Sequence, residues 1–120
     1  MPAGNYDLNI DQGADFTLLL TITQADGTTF DLTNFTFLSQ IRPTYEGEIA
    51  ATFECTALDL EGGILQLKLD ADDTEALGDT EYRWDLVLTE MSGEAVVQVI
   101  RLLAGIVNVS PSVSREEPVP

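Results

Sequence analysis

Apolar and polar side chains alternate with a period of two along most of this chain, and a β-strand is the backbone that turns such a pattern into one buried face. Tyr6, Leu8 and Ile10 are set against Asp7, Asn9 and Asp11. Phe16, Leu18, Leu20 and Ile22 are set against Thr17, Leu19, Thr21 and Thr23, and Phe35, Phe37, Ser39 and Ile41 against Thr36, Leu38, Gln40 and Arg42. Ile49, Ala51, Phe53 and Cys55 make a fourth set, and Leu65, Leu67 and Leu69 a fifth. Tyr82, Trp84, Leu86 and Leu88 make the sixth, against Arg83, Asp85, Val87 and Thr89. The last stretch, Ala95 to Val109, is apolar on both faces over much of its length, as expected of a central strand.

Turn and breaker residues separate these stretches. Asp26-Gly27, Gly62-Gly63 and Ser92-Gly93 are turn signals, and Pro43 ends the third strand because it has no N–H to donate to a ladder. Between the fifth and sixth strands, Asp70 to Gly78 predicts a single helical turn, with Asp72 or Asp73 as its N-cap and Gly78 at its end. Gly105 inside the last strand predicts a bulge or a close backbone approach. The expected fold is therefore all-β: an antiparallel, immunoglobulin-like β-sandwich of about seven strands with one short helical turn. Residues 1–110 form the sandwich domain. The inward sets put Leu18, Leu20, Phe37, Phe53, Leu67, Trp84, Leu86 and Val107 in its core. Open edges are expected at Tyr6 to Asp11 and at Ile49 to Cys55, where a lone sandwich would pair with copies or neighbours. Residues 111–120 combine proline, serine and charge without periodicity, which predicts an extended C-terminal tail with Val113 and Val119 as small apolar anchors.

At 120 residues and 13.1 kDa, one domain buries roughly 65% of the surface of its unfolded chain, enough for a core without cross-links or metal. Twenty-one acidic residues face five basic ones, for a net charge of −16. That balance repels phosphate backbones and anionic membranes, so neither nucleic acid nor membrane is an expected partner. It acts as a solubility device and favours a basic partner surface. Cys55 is the single cysteine, which excludes an intrachain disulfide and fits assembly in a reducing compartment. Met1-Pro2-Ala3-Gly4-Asn5 has neither a basic nor an apolar leader region, so no secretion signal is expected. The Ala95–Val109 stretch is too short and too polar for a bilayer span.

The chain has no histidine, so Ser-His and Cys-His catalysis are excluded. Cys55 falls in an apolar set and is expected to be a core thiol rather than a nucleophile. Carboxylate pairs are too numerous among 21 acids to single one out, and no enzyme activity and no cofactor are expected. Asp70, Asp72, Asp73 and Glu75 supply hard oxygen ligands suited to calcium, but their spacing is not that of an EF-hand and acidic caps explain the same residues; no metal site is assigned. The aromatic residues sit in phase with leucine and isoleucine neighbours, which makes them core rather than a sugar-binding row. Tyr82, opening its strand after the helical turn, is placed like the corner tyrosine of immunoglobulin-like domains. Tyr45, in the loop between Pro43 and Gly47, is the candidate exposed aromatic contact; with Val113, Arg115 and Val119 it completes the expected partner contacts.

Several short motifs occur in a familiar order: Asp11-Gln12-Gly13-Ala14-Asp15-Phe16, Ala25-Asp26-Gly27-Thr28, Asp31-Leu32-Thr33-Asn34-Phe35 and Gln40-Ile41-Arg42, then Thr74-Glu75-Ala76-Leu77, Tyr82-Arg83-Trp84-Asp85-Leu86 and Arg101 to Pro111. Across about residues 6 to 115 this resembles a group of small tailed-phage proteins, similar to the N-terminal domain of phage baseplate upper and fibre proteins. The resemblance implies a virion structural protein, assembled in the host cytoplasm, that anchors in multiple copies to other virion proteins at the baseplate, tail or fibre attachment. Capsid decoration on the head is the alternative within that class, and a glycan-binding adhesion module is the alternative outside it. The resemblance brings no catalytic residues with it.

Overall fold

The computed structural model describes residues 4–44, 46–78 and 81–111. The protein is all-β apart from one short helix. In chain order its strands are β1 (Gly4–Asn5), β2 (Leu8–Asp11), β3 (Phe16–Thr21), β4 (Phe35–Arg42), β5 (Ala51–Thr52), β6 (Glu54–Asp59), β7 (Ile64–Leu69), β8 (Glu81–Ser92) and β9 (Ala95–Ser110). The helix α1 (Ala71–Glu75) joins β7 to β8. The first sheet has the order β1-β9-β8-β4-β5, with β2 also on β9; the second is β3-β7-β6. The two sheets share one core, in which Ile10, Ile41, Leu65, Leu67, Leu86, Leu88 and Val107 are fully buried.

Three features depart from the sequence-based expectation. The first sheet is mixed rather than antiparallel, because β1 and β2 run parallel to β9. The expected first strand, Tyr6 to Asp11, is shortened to β2, with Tyr6-Asp7 outside any strand and β1 preceding them. The fourth changes sheets at Phe53: Ala51 pairs with Ile41 in the first sheet, while Cys55 pairs with Leu67 in the second. Phe53 is buried at that crossing, with its N–H on the Ser39 carbonyl at 2.9 Å. Nine strands are therefore found among the described residues where about seven were expected.

Of the expected core, Phe53, Leu67, Trp84, Leu86 and Val107 are buried, but Leu18, Leu20 and Phe37 are only half-buried. Leu18 and Leu20 lie on β3, an edge strand of a three-stranded sheet, which among the described residues has a strand neighbour on one side only. Leu32 and Leu77, which lie outside the alternating sets, are fully buried although they sit in loops.

The last strand is central over only half its length. From Leu103 onward it is flanked by β8 on one side and by β1 and β2 on the other; from Ala95 to Leu102 it pairs with β8 alone among the described residues. The β8–β9 hairpin, closed by Gly93 at φ 62 as a type II′ turn requires, thus extends past the second sheet. Its apolar residues Val96, Val97 and Val99 are exposed, and the protein measures 56 × 29 × 28 Å.

The crossing of β1 and β2 over β9 is built around Gly105. A Cβ there would collide with the Tyr6 carbonyl and with Asp7, so the expected close approach is what holds this position to glycine. The Tyr6 carbonyl accepts the Trp84 indole N–H at 2.7 Å, and the Asp7 carboxylate accepts the Ile106 N–H at 3.0 Å. The Tyr6 ring meets Trp84 edge-on, with centroids 6.5 Å apart, and Phe53, at the crossing between the sheets, meets it at 6.0 Å.

The expected helical turn is present with different caps. Its N-cap is Asp70, not Asp72 or Asp73, and its C-cap is Ala76 rather than Gly78. The Asp70 side chain makes no capping bond; the Ala71 N–H is instead taken by Asp15 Oδ1 at 2.8 Å, from the loop before β3.

Two substitutions test this account. Trp84→Ala removes the largest side chain at the junction of both sheets and is expected to cost about 3–5 kcal/mol in urea unfolding. Gly105→Ala drives a methyl group into the Tyr6 backbone and is expected to cost about 1–3 kcal/mol, with β1 displaced from β9.

Candidate interaction face

The outward side of the first sheet gathers most of the chain's positive charge. β4 and β8 pair Arg42 with Arg83, Gln40 with Asp85 and Leu38 with Val87. β8 and β9 pair Asp85 with Ala104 and Val87 with Arg101. These residues line a shallow groove of about 310 Å³ that also includes Thr44. Three of the five basic residues of the chain thus share one face.

A bulge puts the third arginine there. The β8–β9 register shifts between Leu86/Leu103 and Val87/Arg101, leaving Leu102 as an extra residue. An extra residue reverses the facing of every side chain beyond it. Without it, Arg101 would point at the core. With it, Arg101 faces out beside Asp85 (Nε to Oδ2, 3.5 Å), while Ile100, Leu102 and Leu103 pack against the core. Arg42 is held by the Gly47 carbonyl at 2.6 Å and Gln40 Oε1 at 3.2 Å. Arg83 also has an interaction partner of its own.

Two of the sequence motifs meet in space. Thr74, fully buried, donates its hydroxyl to the Ala14 carbonyl at 2.8 Å and accepts the Gly13 N–H at 3.0 Å. Gln12 Nε2 donates to the carbonyls of Glu75 and Leu77. Gly13 has φ 83, which favours glycine in this turn. The Asp11–Phe16 and Thr74–Leu77 motifs are therefore one structural lock between the β2–β3 loop and α1. In the same way Asp26 and Asp31 each accept bonds from the N–H and hydroxyl of the threonine two residues on, Thr28 and Thr33. Those hydroxyl and backbone bonds hold both carboxyls below the usual carboxylate range.

Within the acidic segment, Asp70 lies 3.7 Å from Lys68, and among the described residues no three His, Cys, Asp or Glu side chains converge as metal ligands would. Tyr45, Val113, Arg115 and Val119, the expected partner contacts, lie outside the described residues, as does most of the expected tail. Arg42, Arg83 and Arg101 were visible in the sequence motifs, but their convergence was not: it needs the strand pairing and the Leu102 bulge.

No family model matches the sequence, and no curated protein matches it. Among solved structures, the chain shares an all-β fold with the N-terminal domain of phage TP901-1 ORF48. The two are 11% identical and superpose with a TM-score of 0.56 over 91% of this chain and 89% of that one.

Cys55, half-buried on β6, has its thiol pushed up to about 11 by burial. Alkylation by iodoacetamide is expected to be slow at pH 8 in the folded protein and to rise as pH approaches 11, while urea-unfolded chain reacts readily at pH 8, because the thiolate is the nucleophile. Equal rates in the two states at pH 8 would contradict the burial.

Proposed function

We propose that this chain is a structural component of a tailed-phage virion, without enzymatic activity, that works by binding other virion proteins at the baseplate, tail or fibre attachment. The observation that carries this reading is the fold shared with the N-terminal domain of phage TP901-1 ORF48 over most of both chains. The sheet orders support an immunoglobulin-like sandwich. β5-β4-β8-β9 follows the order C′-C-F-G, and β3-β7-β6 follows B-E-D. The first strand departs from the constant-type arrangement by crossing to the last strand.

Assembly in multiple copies is part of the proposal. Immunoglobulin-like sheets leave edges, and natural proteins cover or pair them. The Ala95–Leu102 edge, with three exposed valines, is longer and more apolar than an unprotected edge usually is.

The test is mass spectrometry and immunogold microscopy of particles purified from the strain that encodes the chain. The protein is expected in tailed particles, with label at the tail end. Label on the head would replace this reading with capsid decoration, and absence from particles would refute a virion role. Raised salt or deletion of residues 111–120 is expected to release it; retention under both treatments would place attachment in the sandwich body.

A further inference from the structure

We infer that the arginine groove on the outer face of the first sheet is a docking site for an acidic, extended segment of a partner protein. The inference rests on reading the chain as a module held by protein contacts, and it names the chemistry of one such contact.

The charge of the chain is unevenly distributed. The chain carries −16 overall, yet among the described residues the groove is lined by Arg42, Arg83 and Arg101 against one acid, Asp85. A surface serving solubility alone has no reason to concentrate its few cations. Arginine forks match carboxylates bidentately; Arg42 and Arg83 lie directly opposite each other, and Arg101, opposite Val87, stands roughly 13 Å farther along β8, so the three span several residues of an extended chain. Bonds to Gly47, Gln40 and Asp85 hold two of these side chains in place, so less side-chain freedom is lost when a ligand arrives. Leu38, half exposed, and Val87 lie beside the cations and give an apolar seat for residues alternating with the acids.

The same features disfavour other occupants. A polyphosphate would have to track the −16 body along its length, and the one aromatic residue at the groove among the described residues, Trp84, is buried and offers no open face to stacked bases. A short acidic segment touches only the groove. Charges farther off than about 8 Å are largely screened at physiological ionic strength, so the nearby arginines decide the contact.

Fluorescence anisotropy of a labelled glutamate peptide of about six residues, roughly 20 Å when extended, at about 0.15 M salt and again at about 0.5 M, tests this. Saturable binding that weakens with salt is expected. The triple variant R42Q/R83Q/R101Q should bind about tenfold more weakly or worse, and Leu38→Asp, which leaves every arginine in place, should also weaken it. Lys68→Gln, on the other sheet, should match wild type. Circular dichroism verifies that each variant is folded. Equal binding by wild type and triple variant, or no binding at all, would overturn the inference even if the chain is found in virions. Tighter binding of a DNA duplex of equal charge would also overturn it, as would self-association of wild type that the triple variant abolishes. Absence from virions together with groove-dependent peptide binding would instead remove the virion role and keep the site.

Discussion

The indole of Trp84 joins three parts of this structure: the first strands, the inter-sheet crossing and β8. It lies between the sheets, meets Phe53 where the chain crosses from one sheet to the other, and donates its N–H to the Tyr6 carbonyl. That carbonyl is available only because Gly105 has no side chain to push the Tyr6-Asp7 peptide away. The hydrogen bond meets the polar requirement of a buried indole. It also anchors the one place where β1 and β2 lose the ladder, with Asp7 taking over the N–H of Ile106. Parallel pairing of the first and last strands thus depends on a tryptophan from a third strand.

Around that centre, polar side chains fix the loops and apolar ones fill the core. Thr74 and Gln12 tie α1 to the turn before β3, Asp15 supplies the cap that Asp70 does not, and Asp26 and Asp31 close their own turns. Five acidic residues, Asp7, Asp15, Asp26, Asp31 and Asp59, are therefore structural in the simplest sense: their carboxylates accept backbone N–H groups. The cations are used differently. Three of the five stand on one open sheet face, away from these turns, which makes that face chemically unlike the rest of the surface.

The architecture and the site differ in how far they could be read beforehand. Strand positions, the all-β class, the hairpin turn at Gly93 and the close approach at Gly105 all follow from local patterns. The half-burial of Leu18, Leu20 and Phe37 does not, because alternation tells which way a side chain points and not how much lies above it. The division of the fourth strand at Phe53 is invisible for the same reason: both halves keep the same alternation while pairing with different sheets.

By itself the sequence determined which residues face the same way along each strand, since the two-residue period is a property of the extended backbone alone. It placed Arg42 and Arg83 in outward sets. Only the tertiary structure decided that they share a face with Arg101. In an unbroken strand Arg101 has the parity of the inward Leu103 and Gly105, and the extra residue at Leu102 reverses it. The direction of β1 and β2 was decided the same way, because parallel pairing with β9 is set by contacts nearly a hundred residues distant, which no local pattern records.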